Sequence, residues 1–205
     1  IYMKFIHLSD LHLGKKVNGF SMIDEQKYIL NQILEMMSEI KPDCVLIAGD
    51  VFDTGIAPVE AIKLFEQFLK SLSEIHTPVF VISGNHDSAD RLSYCSDFIA
   101  DKGIYISKSL GGDIEPITLS DEYGEVNIYL LPFIKPVDVN NIYKMEFSNY
   151  TDAVKYVIDR MNVDTSKRNV LVAHQYVTGA MPSESETSIN VGGLDNVEKY
   201  IFDVF

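Results

Sequence analysis

Apolar residues recur at Ile29, Leu30, Ile33, Leu34, Met37 and Ile40, with Asp24, Glu25, Gln32, Glu35 and Glu39 on the other side. That 3.6-residue spacing predicts an amphipathic helix over Ile23–Ile40, and Lys41-Pro42-Asp43 breaks it. A second stripe, Ile62, Phe65, Leu69 and Leu72, predicts another helix. Pro58 starts it, where proline is well tolerated, and Thr77-Pro78 ends the connection that follows. Around these helices the pattern changes to short, unbroken apolar runs: Phe5-Ile6-His7-Leu8, Val45-Leu46-Ile47-Ala48, Val79-Phe80-Val81-Ile82 and Val170-Leu171-Val172-Ala173. Runs of this length, rich in Val, Ile, Leu and Phe, read as buried strands.

The first three runs and two helices alternate as strand–helix–strand–helix–strand, with steps of 40 residues from Asp10 to Asp50 and 35 from Asp50 to Asn85. Those steps fit parallel βαβ units. A third helix is expected over residues 90–100, closed by Lys102-Gly103. Three shorter strands follow, Ile104-Tyr105-Ile106, Glu115-Pro116-Ile117-Thr118-Leu119 and Val126-Asn127-Ile128-Tyr129-Leu130-Leu131, the last two as a hairpin. A helix over 151–161 comes next, with Thr151 as its cap and Ala153, Val154, Val157, Ile158 and Met161 inward. After the fourth apolar run, residues 175–193 form a long polar loop, with a mobile surface stretch at 183–188, and 194–205 a short helix. There is no internal repeat and no linker long enough to divide the chain.

Composition narrows the class. A chain of 205 residues, 46% hydrophobic and 23% charged, fits one globular domain with a sizeable core. No apolar run approaches a membrane span and no signal segment opens the chain. Ile1-Tyr2 ahead of Met3 reads as an expression remnant. Cys44 and Cys95 lack C-x-x-C spacing and read as inert thiols of a reducing cytoplasm. The net charge of −13 argues against a chain that grips nucleic acid through its own surface charge. Cations at a site would offset only part of it.

The candidate chemistry lies where the four runs end: Asp10-Leu11-His12, Gly49-Asp50-Val51-Phe52-Asp53, Gly84-Asn85-His86-Asp87 and His174. In open α/β sheets ligands bind beyond the carboxyl ends of the strands. These side chains are therefore expected to converge at one rim of one sheet. Carboxylate, imidazole and amide oxygen donors together suit hard or borderline divalent ions such as Mn²⁺, Fe²⁺ or Zn²⁺. Asp10 and His12, two apart, can face one ion. Asp50, leaving a central strand, is the candidate bridge between two. Gly49 and Gly84 clear side chains from sharp turns. Two ions about 3.5–4 Å apart clamp an in-line displacement at phosphorus. His86, one residue past Asn85, would point at the substrate and protonate the leaving oxygen, with the Asp53 carboxylate fixing its tautomer. His7, inside an apolar run, reads as a packed or hydrogen-bonded histidine, and Asp87 as a turn or helix-start residue. Lys15 and Lys16 could touch phosphate or simply lie in a solvated loop.

These motifs resemble the calcineurin-like metallophosphoesterase superfamily, whose pattern is D-x-H, G-D-x-x-D, G-N-H-D/E, H and G-H-x-H. The phrases His7-Leu8-Ser9-Asp10-Leu11-His12-Leu13-Gly14, Ala48-Gly49-Asp50-Val51-Phe52-Asp53, Ser83-Gly84-Asn85-His86-Asp87-Ser88 with Arg91-Leu92, and Val191-Gly192-Gly193-Leu194-Asp195 more closely resemble SbcD-like nucleases of double-strand-break repair. The resemblance covers nearly the whole chain. It implies an α/β fold with a layered β-sheet core flanked by helices and a βαβαβ N-terminal half. It implies that Asp10, His12, Asp50, Asn85 and His174 hold two divalent metal ions, Mn²⁺ foremost, with Fe²⁺, Zn²⁺ or Mg²⁺ as alternatives. His86 would be the catalytic histidine and Asp53 its partner. The implied activity is two-metal hydrolysis of DNA phosphodiester bonds in repair and recombination. Implied partners are DNA, an SbcC-like ATPase subunit and a second copy, with no membrane. The homodimer would pair helices around 58–72 and 90–100, leaving part of Phe65, Phe68, Leu69, Tyr94 and Phe98 exposed on the protomer.

One departure is large. The final G-H-x-H is absent, and residues 1–205 are expected to be a nuclease domain that stops just before it. The C-terminal capping and partner-binding regions would be absent too, leaving five of seven expected ligands. Other readings are a phosphoesterase of this fold acting on a nucleotide, cyclic phosphodiester or phosphoprotein, and a non-catalytic scaffold.

Overall fold

In the computed structural model, which describes residues 3–179 and 196–205, the chain opens with strand β1 (Phe5–Leu8) and a two-residue-strand hairpin, β2 (Lys16–Val17) and β3 (Phe20–Ser21). Helix α1 (Ile23–Ile40), β4 (Cys44–Ala48), α2 (Val59–Glu74) and β5 (Val79–Ile82) follow. Two short helices, α3 (Ala89–Leu92) and α4 (Ser96–Ile99), lead to β6 (Ile104–Ile106). The second half holds β7 (Ile117–Asp121), β8 (Gly124–Leu130), α5 (Pro136–Tyr143), α6 (Tyr150–Arg160) and β9 (Arg168–Val172), and a 3-10 turn at Lys199–Phe202.

The expected βαβαβ half forms. Strands β1, β4, β5 and β6 make a parallel four-stranded sheet in the order β1-β4-β5-β6. The expectation of one sheet is corrected: β9 pairs in parallel with β8, and β8 antiparallel with β7, in a second three-stranded sheet. The physical reason is coverage. β4 and β5 are buried at every position because helices cover one face and the second sheet covers the other. Val45, Ile47, Val79 and Val81 pack with Leu30, Met37, Phe65, Phe68 and Leu72 of α1 and α2. Cys44, Leu46, Ala48, Phe80 and Ile82 pack instead with Ile128, Leu130 and Val172 of the other sheet. That sheet's outer face carries α5 and α6 through Tyr129, Val139, Ala153, Val154, Val157 and Ile158. The layers run helix, sheet, sheet, helix.

Several elements depart in detail. The third helix does not run through 90–100: Cys95 adopts a left-handed φ of 65° and splits it into α3 and α4. Asn149, not Thr151, caps α6, its side chain accepting from the Asp152 N–H at 2.8 Å. The Thr151 hydroxyl instead bonds the Asn196 carbonyl and the Glu198 N–H. Helix α5 had no signal strong enough to be read. In α1 only Leu30 and Met37 are fully buried, and Ile29 and Ile40 face solvent. His7 is exposed, because β1 is an edge strand. Cys44 is buried, which pushes its thiol up to about 12, whereas Cys95 is exposed. Phe65, Phe68 and Leu69 are buried within the protomer, but Tyr94 and Phe98 are 80% and 84% exposed. Ile1-Tyr2, the 183–188 stretch and Val191-Gly192-Gly193-Leu194-Asp195 lie outside the described residues. No helix among the described residues is long and apolar enough to cross a membrane.

Candidate metal centre

Strand ends from both sheets meet at one rim. The Asp10 N–H bonds the Gly49 carbonyl, and the His12 and Leu13 N–H groups bond the Asp50 and Val51 carbonyls, at 2.9–3.1 Å. These bonds carry the β1–β4 pairing past the strands into the loops that bear the chemistry. Asp10, His12 and Asp50 all adopt left-handed φ values, 56°, 42° and 49°. That conformation is costly for residues with a Cβ and is held only where surrounding bonds enforce it. Two close approaches explain the glycines. A Cβ on Gly49 would stand 2.5 Å from His174 Nδ1, and one on Gly84 would overlap Asp50 Oδ1 and main-chain N.

The predicted ligands come together around Asp50, which is almost fully buried. Its Oδ2 lies 3.7 Å from His12 Nε2 and 3.6 Å from His174 Nε2, and His12 Nε2 lies 3.7 Å from Asp10 Oδ1. Asn85 Oδ1 lies 3.2 Å from His174 Nε2. His174 Nδ1 meets the Ala48 carbonyl at 2.7 Å. A carbonyl only accepts, so Nδ1 carries the proton and the neutral ring turns a lone pair at Nε2 toward two oxygens. His12 Nδ1 lies near the Asp53 carboxylate without hydrogen-bond geometry to it, and its Nε2 faces two carboxylates. Acceptors facing acceptors at 3.2–3.7 Å are stable only around a cation or a proton. Donors at about 2.0–2.2 Å from one ion stand roughly 3–3.5 Å apart, so the donor set fits divalent metal ions. In a metal-free site a proton serves instead: burial opposes the charged ring, but the Asp50 carboxylate and the Ala48 carbonyl hold His174 above its ordinary pKa. Burial likewise works against the Asp50 charge, yet His174 and the His86 N–H keep that carboxyl below its usual range. Asp50 lies within reach of donors on both sides, as a bridge requires.

His86 lies beside this set, and His12, Asp53 and His86 also place donor atoms within 4.8 Å of one another. Its side chain is 44% exposed, with Nε2 4.0 Å from Asp50 Oδ2. Its Nδ1 bonds the Asp53 main-chain carbonyl at 2.9 Å. Asp53 therefore meets His86, but the expectation that its carboxylate does so is corrected. The carboxylate turns the other way, 3.4 Å from His12 Nδ1, because the turn after Asp50 points the carbonyl at the ring. Either contact fixes the same tautomer and leaves Nε2 free toward the cavity. The cavity is about 700 Å³ and is lined by Asp10, His12, Lys15, Asn85, His86 and His174 among others, with His7 at its rim.

Two supporting residues, Gln26 and Ser9, were missed by sequence reasoning, and a third, Asp87, was read only as a turn or helix-start residue. Gln26 on α1 accepts from the Gly14 N–H and donates to the Leu11 and His12 carbonyls, holding the first loop. The Ser9 hydroxyl lies within hydrogen-bond reach of Asp10 Oδ2 and the Ala48 carbonyl and donates its one proton to either. Asp87 accepts from the N–H groups of Val51, Phe52 and Gly84. The signal for Gln26 was a polar residue in the first turn of α1, shortly after the Asp10–His12 loop. Nothing local distinguishes it from a solvated helix face.

Comparison with known proteins agrees with this geometry. A family model described as calcineurin-like phosphoesterase matches residues 3–202. The chain is 35% identical over 207 aligned positions to the D subunit of the nuclease SbcCD of Staphylococcus epidermidis and 34% identical to that of Staphylococcus saprophyticus. Each alignment takes in 99% of this chain and 54% of the relative, so the chain spans about half the length of the curated relatives it matches. From the family match over nearly its whole length, with the donor cluster at the strand ends, the chain belongs to the calcineurin-like phosphoesterase family.

Proposed function

We propose that this chain is the catalytic domain of a metal-dependent DNA nuclease subunit that hydrolyses DNA phosphodiester bonds in double-strand-break repair and recombination. The observation that carries the reading is the convergence of Asp10, His12, Asp50, Asn85 and His174 on one point at the strand ends, with His86 beside them. Asp10, His12 and Asp50 would hold one divalent ion, and Asp50, Asn85 and His174 a second, Mn²⁺ foremost. When bound, the ions supply Lewis-acid polarisation of the phosphoryl group and lower the pKa of bound water.

The chain's own residues do the rest. With Nδ1–H committed to the Asp53 carbonyl, a protonated His86 presents Nε2–H to the cavity. There it can bond a phosphoryl oxygen and deliver its proton to the leaving 3′ or 5′ oxygen. Lys15 at the cavity wall offers a cation to an adjacent phosphate. The net charge of −13 leaves DNA affinity to metals, to a C-terminal region and to an SbcC-like ATPase partner. A homodimer would cover Tyr94, which lines the groove between α2 and α3, and Phe98 on α4, which are 80% and 84% exposed.

The test is an assay of the full-length protein with Mn²⁺ on linear duplex DNA and on bis-p-nitrophenyl phosphate. Cleavage of both, lost together in His86→Ala, supports the nuclease. Turnover of the small diester or of nucleotides without DNA cleavage would favour the second reading, a phosphoesterase of the same fold, which the acidic surface supports. Absence of both activities would favour a scaffold.

A further inference from the structure

Asp50 and Asp87 brace each other's loops. Asp50 Oδ1 accepts the His86 N–H from the loop after β5, at 2.9 Å. Asp87, on that same loop, reaches back to the loop after β4: its Oδ2 accepts the Val51 N–H at 3.1 Å and its Oδ1 the Phe52 N–H at 2.9 Å. Asp87 Oδ2 also accepts the Gly84 N–H of its own loop at 2.9 Å. Each carboxylate therefore ties down the main chain that carries the other. The two differ in what else they face. Asp50 lines the cavity with the proposed ligands, whereas Asp87 is half-buried behind them and does not line it.

The arrangement answers a specific mechanical problem. Asp50 is held at φ 49°, a conformation that neighbouring bonds must enforce. On the other side an isolated parallel bridge between Leu13 and Phe52 holds the Val51 carbonyl and the Asp53 N–H, but the N–H groups of Val51 and Phe52 point away from it and meet Asp87. Buried N–H groups left unpaired are costly, so without Asp87 the loop would shift to find acceptors and disturb Asp50. Asp87 supplies both acceptors from a single rigid carboxylate. Its third bond, to Gly84, anchors that carboxylate at the point where Gly84 passes against Asp50.

We propose that Asp87 is a positioning residue that sets the register of the Asp50 loop against the Asn85–His86 loop, and so the geometry of both proposed metal sites together. It touches neither metal nor substrate. The proposal rests on the metal-site reading for its consequence but not for its structural content, and the two are tested separately.

The experiment compares wild type with Asp87→Asn, which keeps the shape and one acceptor oxygen, and Asp87→Ala, which keeps neither. Amide hydrogen exchange followed by NMR, without metal, reads the brace. Protection should fall at Val51, Phe52 and Gly84 in both variants and persist through β4 and β5. Mn²⁺ titration calorimetry on the same folded samples reads the consequence. Affinity should fall about 10-fold in Asp87→Asn and about 100-fold in Asp87→Ala, the range for residues that orient ligands, with the metal-free thermal midpoint changing in parallel by no more than other loop variants do. Unchanged protection at the three amides would overturn the proposal, as would unchanged Mn²⁺ affinity in variants that have lost it. Loss of protection across β4 and β5 as well would assign Asp87 to general stability and also overturn it. If Asp87→Ala does not fold, Asp87→Asn decides by the same readouts. Wild type that binds no Mn²⁺ would defeat the metal reading while leaving the exchange result to judge the brace.

Discussion

Gly84 passes so close to Asp50 that a Cβ there would overlap both the carboxylate and the main-chain nitrogen of Asp50. The main-chain nitrogen cannot swing aside as a flexible side chain would, so Gly84→Ala must displace the loop. The expected outcome is a folded protein, unaltered in circular dichroism, whose Mn²⁺ affinity falls at least about tenfold. Calorimetry against wild type checks this, and unchanged affinity would show that the loop has slack.

The proposed role of His86 is to handle a proton and not to hold an ion. His86→Ala should lower phosphodiester cleavage by about 10²–10⁴-fold while Mn²⁺ binding stays near that of wild type. Asp50→Ala should remove binding at both sites. If His86→Ala loses metal as fully as Asp50→Ala, the assignment of His86 is wrong.

Phe80 is fully buried between the sheets and stacks on Tyr105, with ring centroids 5.2 Å apart. Phe80→Ala should cost about 3–5 kcal/mol, measured by urea unfolding. Because His174 reaches Asp50 from the second sheet, the same cavity should also weaken whatever His174 holds, and a calorimetric titration of the variant would show it. A loss below about 1 kcal/mol would mean that the sheets close over the gap.

Arg168 on β9 meets Asp121 at the end of β7 with two bonds, 2.6 and 3.0 Å. Those bonds hold the Asp121 carboxyl at about 2, below the ordinary value near 3.8. A carboxyl depressed by folding stabilises the protein above its unfolded pKa, and the contribution disappears as pH falls through the folded value. Arg168→Met should therefore be less stable than wild type at pH 6, and the gap should close between about pH 4 and about pH 2. Paired denaturation curves across that range test it; a gap that stays constant would show that the pair acts through packing alone.

Much of this protein was legible in its pattern of residues. The stripe through Leu30, Ile33 and Met37 placed α1 at Ile23–Ile40, and the inward set Ala153, Val154, Val157 and Ile158 is buried in α6. The unbroken runs at β4 and β5 reported two covered faces. The ligand types at the strand ends reported a donor cluster, because strands deliver the residues after them to a common rim. The pattern could not report which element does the covering. Val170-Leu171-Val172 looks the same whether it extends the first sheet or builds a second, and only its pairing with β8 decides. Asn149 took the cap from Thr151 because capping depends on backbone angles that composition does not reveal. The Asp53 carbonyl on His86, the Gln26 bonds to the first loop and the Asp87 brace join residues 12 to 36 positions apart. Such bonds obey no local period: they arise when packed layers bring loops together. The chain's order of residues carries the parts, while the tertiary structure alone sets which carboxylate faces the cavity and which accepts from the loop behind it.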